Sequence, residues 1–125
     1  MSVATGLYQP WYSRQLVWEV RYHDEAEQER NALQATERVA LEHATDKLAT
    51  FGPQLPFPHQ SRVQSAKDMR ELRPRAGRSA WRALYRRLGN VFVIAAVGPE
   101  AQSDPRGFKR AVTSALRRLQ EVESD

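Results

Sequence analysis

The chain has 125 residues, 41% of them hydrophobic, with a net charge of +4 and no cysteine. That length suits one domain with a modest core, and the apolar content argues against disorder. No run approaches the 18 apolar residues of a membrane-spanning helix, and the lack of thiols removes disulfide chemistry and fits a cytoplasmic location.

The opening MSVATGLYQPWYSRQ lacks the ordered basic start, apolar run and small-residue cleavage site of a secretory signal. Residues 1–14 read as an arm carrying Tyr8, Trp11 and Tyr12, and residues 15–125 as a single domain. From Gln15 to His23, Leu16, Trp18, Val20 and Tyr22 alternate with polar residues, which predicts a half-buried strand. Asp24, with Glu27 three residues on, has capping-box spacing and predicts a helix over 25–34. A second helix over 37–51, capped by Thr36, sets Ala40, Leu41, Ala44, Leu48 and Phe51 on one stripe before Gly52-Pro53 stops it.

The stretch GPQLPFPHQSRVQSAKD that follows is a long connection with little periodicity. Three strands are expected after it, over 68–73, 79–87 and 91–97, with Gly77 freeing the turn between the first two. VFVIAAV is a continuous apolar run, the pattern of a central strand buried on both faces. Ser103-Asp104-Pro105 opens a last helix, in which Phe108, Val112, Ala115, Leu119 and Val122 form a core stripe. The order β-α-α-β-β-β-α describes an α+β domain, with a mainly antiparallel four-stranded sheet and helices packed on one face.

Charge is unevenly divided. Residues 1–61 hold five Lys/Arg against eight Asp/Glu, whereas residues 62–125 hold fourteen against seven. A basic half suits a polyanionic partner, since each neutralised phosphate releases counterions. The charge concentrates in MRELRPRAGRSAWRALYRR, residues 69–87, which has seven arginines and one acid. Strand alternation turns Leu72, Trp81, Ala83 and Tyr85 toward the helices, so Glu71, Arg73, Arg82 and Arg86 project from the open face. Forked guanidinium groups bind phosphate oxygens and can stabilise charge developing on a phosphorane. Cross-strand ion pairs between Glu71 and neighbouring arginines are the plainer alternative.

RELRPRAG, WRALYRR, VFVIAAVGPEA and SDPRGFKRAV, in this order after a strand and a helical pair, resemble the RelE/ParE toxin superfamily. The likeness is to its HigB-like, phage Gp49-like branch, and runs from about Leu16 to Leu119. It implies a RelE-like fold and the toxin of a bacterial type II toxin–antitoxin module. It further implies a ribosome-dependent, metal-independent mRNA endoribonuclease, neutralised by an antitoxin of helix-turn-helix type. Ribosome and messenger RNA are then the other partners, with no membrane and no cofactor.

By matching motifs, Arg73 and Arg82 fall where relatives place phosphate-contacting arginines. The catalytic candidates are Arg73, Arg82, Glu71 and His59; Arg70, Arg75, Arg78, Arg86, Lys109 and Arg110 are candidate phosphate contacts. Arginine is a poor base, which leaves His59, Glu71 and Tyr85 for proton transfer, Tyr85 as a core residue and Lys67 as a surface lysine. Relatives usually carry a basic pair after the last strand, where this chain has Pro99-Glu100. That departure keeps open a non-catalytic member that binds an antitoxin, or a ParE-like one that binds a protein such as gyrase. The three histidines, His23, His43 and His59, are far apart in sequence and have no clustered acids, so no metal site is expected.

Overall fold

The computed structural model describes residues 18–124. The arm over 1–14 and the first residues of the expected first strand lie outside the described residues. Strand β1 (Glu19–Tyr22) keeps its alternation and pairs in parallel with β5 (Val91–Pro99). Helices α1 (Asp24–Asn31) and α2 (Ala35–Phe51) follow. Their caps differ from expectation. His23, still extended at φ −60° and ψ 145°, caps α1 in place of Asp24, its Nδ1 accepting from the Glu25 amide at 3.1 Å. Helix α2 begins before Thr36, with Gln34 at the cap position and no side-chain cap bond. Ala40, Leu41, Ala44 and Leu48 are buried as the stripe predicts, but Phe51, where the helix ends, is 53% exposed.

The proline-rich connection contains a further strand, β2 (Gln60–Arg62), too short to show a period. It pairs antiparallel with β3 (Arg70–Leu72), which pairs with β4 (Trp81–Leu88), and β4 with β5. The sheet therefore has five strands rather than four, in the order β1-β5-β4-β3-β2. The α+β class and the order of the remaining elements are as expected.

Helices on one face only is the expectation that fails. On one face, Leu33, Leu41 and Leu48 pack with Leu72, Tyr85, Phe92 and Ile94. On the other, α3 (Pro105–Ser124) packs Val112, Ala115 and Leu119 with Leu84, Val93 and Ala95. The physical reason is β5 itself: a run that is apolar on both sides needs cover on both sides. Asp104 caps α3 by accepting from the Gly107 amide at 2.9 Å.

A bulge sits in the central pair. Leu84 opposes Ala96 while Tyr85 opposes Ile94, which leaves Ala95 as an extra residue on β5. Its carbonyl accepts from Arg118 of α3 at 2.8 Å, and Arg118 also forks onto Glu29 of α1 at 2.9 and 3.0 Å. Glu29 in turn accepts from the Val97 amide at 2.9 Å, so one ion pair satisfies the irregular strand and ties α1 to α3.

Candidate functional site

Alternation on β3 and β4 places Glu71, Arg82 and Leu84 on one face, as read from the sequence, with Leu72, Ala83 and Tyr85 on the other. That first face is not open. Leu84 lies under α3, and Arg82 is only 3% exposed. Its guanidinium donates through Nη1 to the carbonyls of Ser79 at 2.7 Å and Trp81 at 2.9 Å, and through Nη2 to Gly77 at 3.2 Å. Two carboxylates face it, Glu71 at 3.4 Å and Glu100 at 3.9 Å. Burial first, then the charge of Arg73, holds Arg82 below the ordinary arginine value, while Glu71 and Glu100 oppose that shift. Arg82 is thus a buried strut that closes the Gly77–Trp81 turn, not a side chain projecting from the sheet.

Glu71 accepts from the Ser61 hydroxyl at 2.8 Å and lies 3.6 Å from Arg73. Arg73 donates to the Pro58 carbonyl at 3.0 Å, and its guanidinium carbon is 5.3 Å from the centre of the Phe57 ring. Gly77, at φ +94°, lies so close that an added Cβ would come within 2.6 Å of Arg73 Nη2, which ties the glycine to this turn. His59 sits beside Arg73 across the strand pair: the Arg73 amide donates to the His59 carbonyl at 2.9 Å. Glu71, Arg73, Arg82 and Glu100 thus form one charge-balanced cluster of two arginines and two carboxylates. Glu100 occupies the position expected to be basic, and its carboxylate faces Arg82.

The other sequence candidates scatter. Arg70 reaches Gln60 at 3.1 Å from an exposed position on β3. Arg75 pairs with Glu37 at 2.9 Å and donates to the Thr36 carbonyl, and Arg78 donates to the Arg75 carbonyl at 3.1 Å. Arg86 is drawn toward α3, bonding Glu123 and the Lys67 carbonyl. Lys109 and Arg110 are exposed on the first turns of α3. Tyr85 is 2% exposed, with its hydroxyl pushed up to about 12 by burial, too high for a proton acceptor at neutral pH.

Two groupings escape the sequence reading. A cleft of about 280 Å³ lies between α2 and the β2–β3 edge, where His43 and Lys47 of α2 join His59, Arg73 and Arg75. The spacing of His43 and Lys47, one helical turn apart beside the core stripe, is the signal that could have found it. Elsewhere His23, Glu25 and Glu121 bring ligand atoms within 4.8 Å of one another, which corrects the expectation of no acids clustered around a histidine. Glu121 comes from the far end of the chain. Nδ1 of His23 is already occupied by the α1 cap, and Nε2 lies 3.5 Å from Glu121.

This sheet, with two helices on one face and one on the other, is a RelE-like fold. The chain superposes on a mutant of the E. coli toxin RelE in the free state with a TM-score of 0.61 at 16% identity, covering 82% of this chain and 98% of that one. A chain of the RelE–RelB complex from Pyrococcus horikoshii OT3 aligns at a TM-score of 0.49 and 17% identity, covering 66% of this chain and 94% of that one. Residues 28–97 match the family described as phage-derived protein Gp49-like. The chain belongs to that family. No curated protein sequence matches it. Among the described residues no helix is long and apolar enough to cross a membrane.

Proposed function

We propose that the chain is the toxin of a type II toxin–antitoxin module and acts on messenger RNA at the ribosome as a metal-independent endoribonuclease. Membership of the Gp49-like family and the likeness to nearly the whole RelE chain support the toxin reading. The observation that carries the RNA reading is the side-by-side placement of Glu71 and Arg73 beside His59 at the sheet edge. In-line cleavage needs a base for the ribose 2′-hydroxyl, a cation for the phosphorane and an acid for the leaving oxygen. Glu71 is the base, Arg73 the phosphate contact and His59 the acid. Arg82 acts through Glu71 as a positioning residue. The antitoxin, of helix-turn-helix type, covers this edge with an acidic segment that meets the exposed Arg70, Arg75 and Arg78 around the balanced cluster.

Induced expression without antitoxin, followed by mapping of RNA ends, tests the proposal. Growth should arrest and transcripts should be cut within translated regions. Arg73→Ala should lower cleavage by about a hundredfold while retaining the far-ultraviolet spectrum of the fold. Arrest with intact transcripts, or undiminished cleavage by Arg73→Ala, would defeat it. One observation favours a second reading: Glu100 faces Arg82 where the family pattern has a basic residue, so the cluster carries no net positive charge. A non-catalytic, ParE-like toxin aimed at a protein such as gyrase fits that balance. Inhibited supercoiling with uncut RNA would select it.

A further inference from the structure

The cleft beneath α2 adjoins the balanced cluster and shares Arg73 with it. Five basic side chains converge there from three parts of the chain: His43 and Lys47 from α2, His59 from the connection before β2, and Arg73 and Arg75 from the end of β3 and the turn after it. Its floor is apolar and uncharged, made by Ala40, Ala44 and Leu72. Two carboxylates engage the cleft's cations from outside the lining: Glu71 lies 3.6 Å from Arg73, and Glu37 binds Arg75 on one oxygen and Ser79 on the other. Hydrogen bonds from Ser79, then from Arg75, hold Glu37 below the usual glutamate value.

The turn that carries Arg75 is unusual in its backbone. Arg75 and Ala76 both lie in the left-handed region, at φ 55° and 56°, where side chains other than glycine are disfavoured. Such conformations persist only where the surroundings hold them, and the contacts of Arg75 with Glu37 and Thr36 do so here. The consequence is a guanidinium fixed at the mouth of the cleft, facing helix α2. A concave surface with several fixed cations and a short apolar floor matches a phosphate attached to a sugar or base.

We propose that this cleft binds a phosphate group carried by a nucleotide, with Lys47, Arg73 and Arg75 holding the anion and His43 and His59 flanking it. The volume, about 280 Å³, suits one nucleotide rather than a longer piece of strand. The inference deepens the RNA reading, on which it rests for the source of the phosphate, by extending the Arg73 and His59 site along the α2 side to His43, Lys47 and Arg75. It does not depend on cleavage, so its test reads binding alone.

Adenosine monophosphate, inorganic phosphate and a short 2′-O-methyl oligonucleotide, which cannot be cut by 2′-hydroxyl attack, serve as probes of the full chain. Each should shift the imidazole resonances of His43 and His59 at millimolar concentration or below. Lys47→Glu, a change at an exposed helix position, should weaken all three by at least tenfold, and His43→Ala by a few-fold. Tighter binding of the oligonucleotide than of the mononucleotide assigns the phosphate to a strand, and equal binding assigns it to a free nucleotide. Absence of any shift at tens of millimolar, or affinities unaffected by Lys47→Glu, would overturn the proposal. So would a glutamate-rich peptide that binds the cleft more tightly than any of the three. Growth arrest without cut transcripts defeats the ribonuclease reading and leaves these binding results unaffected.

Discussion

Arg75 and Arg82 belong to the same basic run, seven residues apart, yet the fold gives them opposite surroundings. Arg82 is buried, spends its donors on three backbone carbonyls and faces two carboxylates. Arg75 stands exposed at the mouth of a cleft whose other charged members are all basic. A buried arginine that closes a turn is a structural part, and its charge is balanced within the fold. An arginine on the helix-α2 side, paired with Glu37 but exposed, can still reach a ligand. The count of arginines in residues 69–87 therefore overstates the positive surface, because burial decides which of them reach solvent.

The largest effect should come from breaking the buried member. Arg82→Met removes the donors to Gly77, Ser79 and Trp81 and leaves Glu71 without its buried partner, which should destabilise the protein by about 3–5 kcal/mol. Urea unfolding of this variant against Arg78→Ala checks the contrast, since the exposed Arg78 should cost no more than about 0.5 kcal/mol. Equal losses in the two would erase the distinction between strut and surface cation. The same comparison explains why Arg73→Ala rather than an Arg82 variant tests the proposed chemistry.

A smaller effect belongs to the bridge between the α2 start and the turn. Glu37→Gln should cost about 1 kcal/mol at neutral pH by weakening the contacts to Arg75 and Ser79. Its folded carboxyl is held below the usual value, so its contribution is present above the ordinary glutamate pKa and is lost as pH falls through the lower folded one. The gap between wild type and variant should therefore close as the pH drops below about 4. A gap that stayed constant with pH would mean that the packing of the side chain, rather than its charge, supplies the stability.

Much of this was legible in the residues. The alternation of β3 and β4, the stripe of α2 and the apolar run of β5 each follow from a local period, and the structure keeps them. What local periods cannot report is what covers a face. The run VFVIAAV already required cover on both sides, and that requirement puts α3 over Leu84 and closes the face on which Arg82 lies. The pairs that then settle the site join residues remote in sequence: Glu71 with Ser61 and Arg82, Glu37 with Arg75, Glu29 with Arg118. His43 and Lys47 were readable as neighbours on a helix, but their approach to His59 depends on β2, a three-residue strand without a pattern.

The smallest effect is the sharpest probe of the cleft side. Ala76, at φ 56°, gains nothing from its methyl group that offsets the left-handed backbone, whereas glycine adopts that region freely. Against this stands the extra freedom that glycine gives the unfolded chain, worth about 0.4–1 kcal/mol. Ala76→Gly should therefore stabilise the protein slightly, by about 0.5 kcal/mol, as read by thermal unfolding. If the strained turn serves to hold Arg75 against Glu37, the same substitution should weaken nucleotide binding a few-fold while raising stability, because a looser turn fixes the guanidinium less well. Higher stability with unchanged binding would detach the strain from the cleft, and would leave the Glu37 pair alone in positioning Arg75.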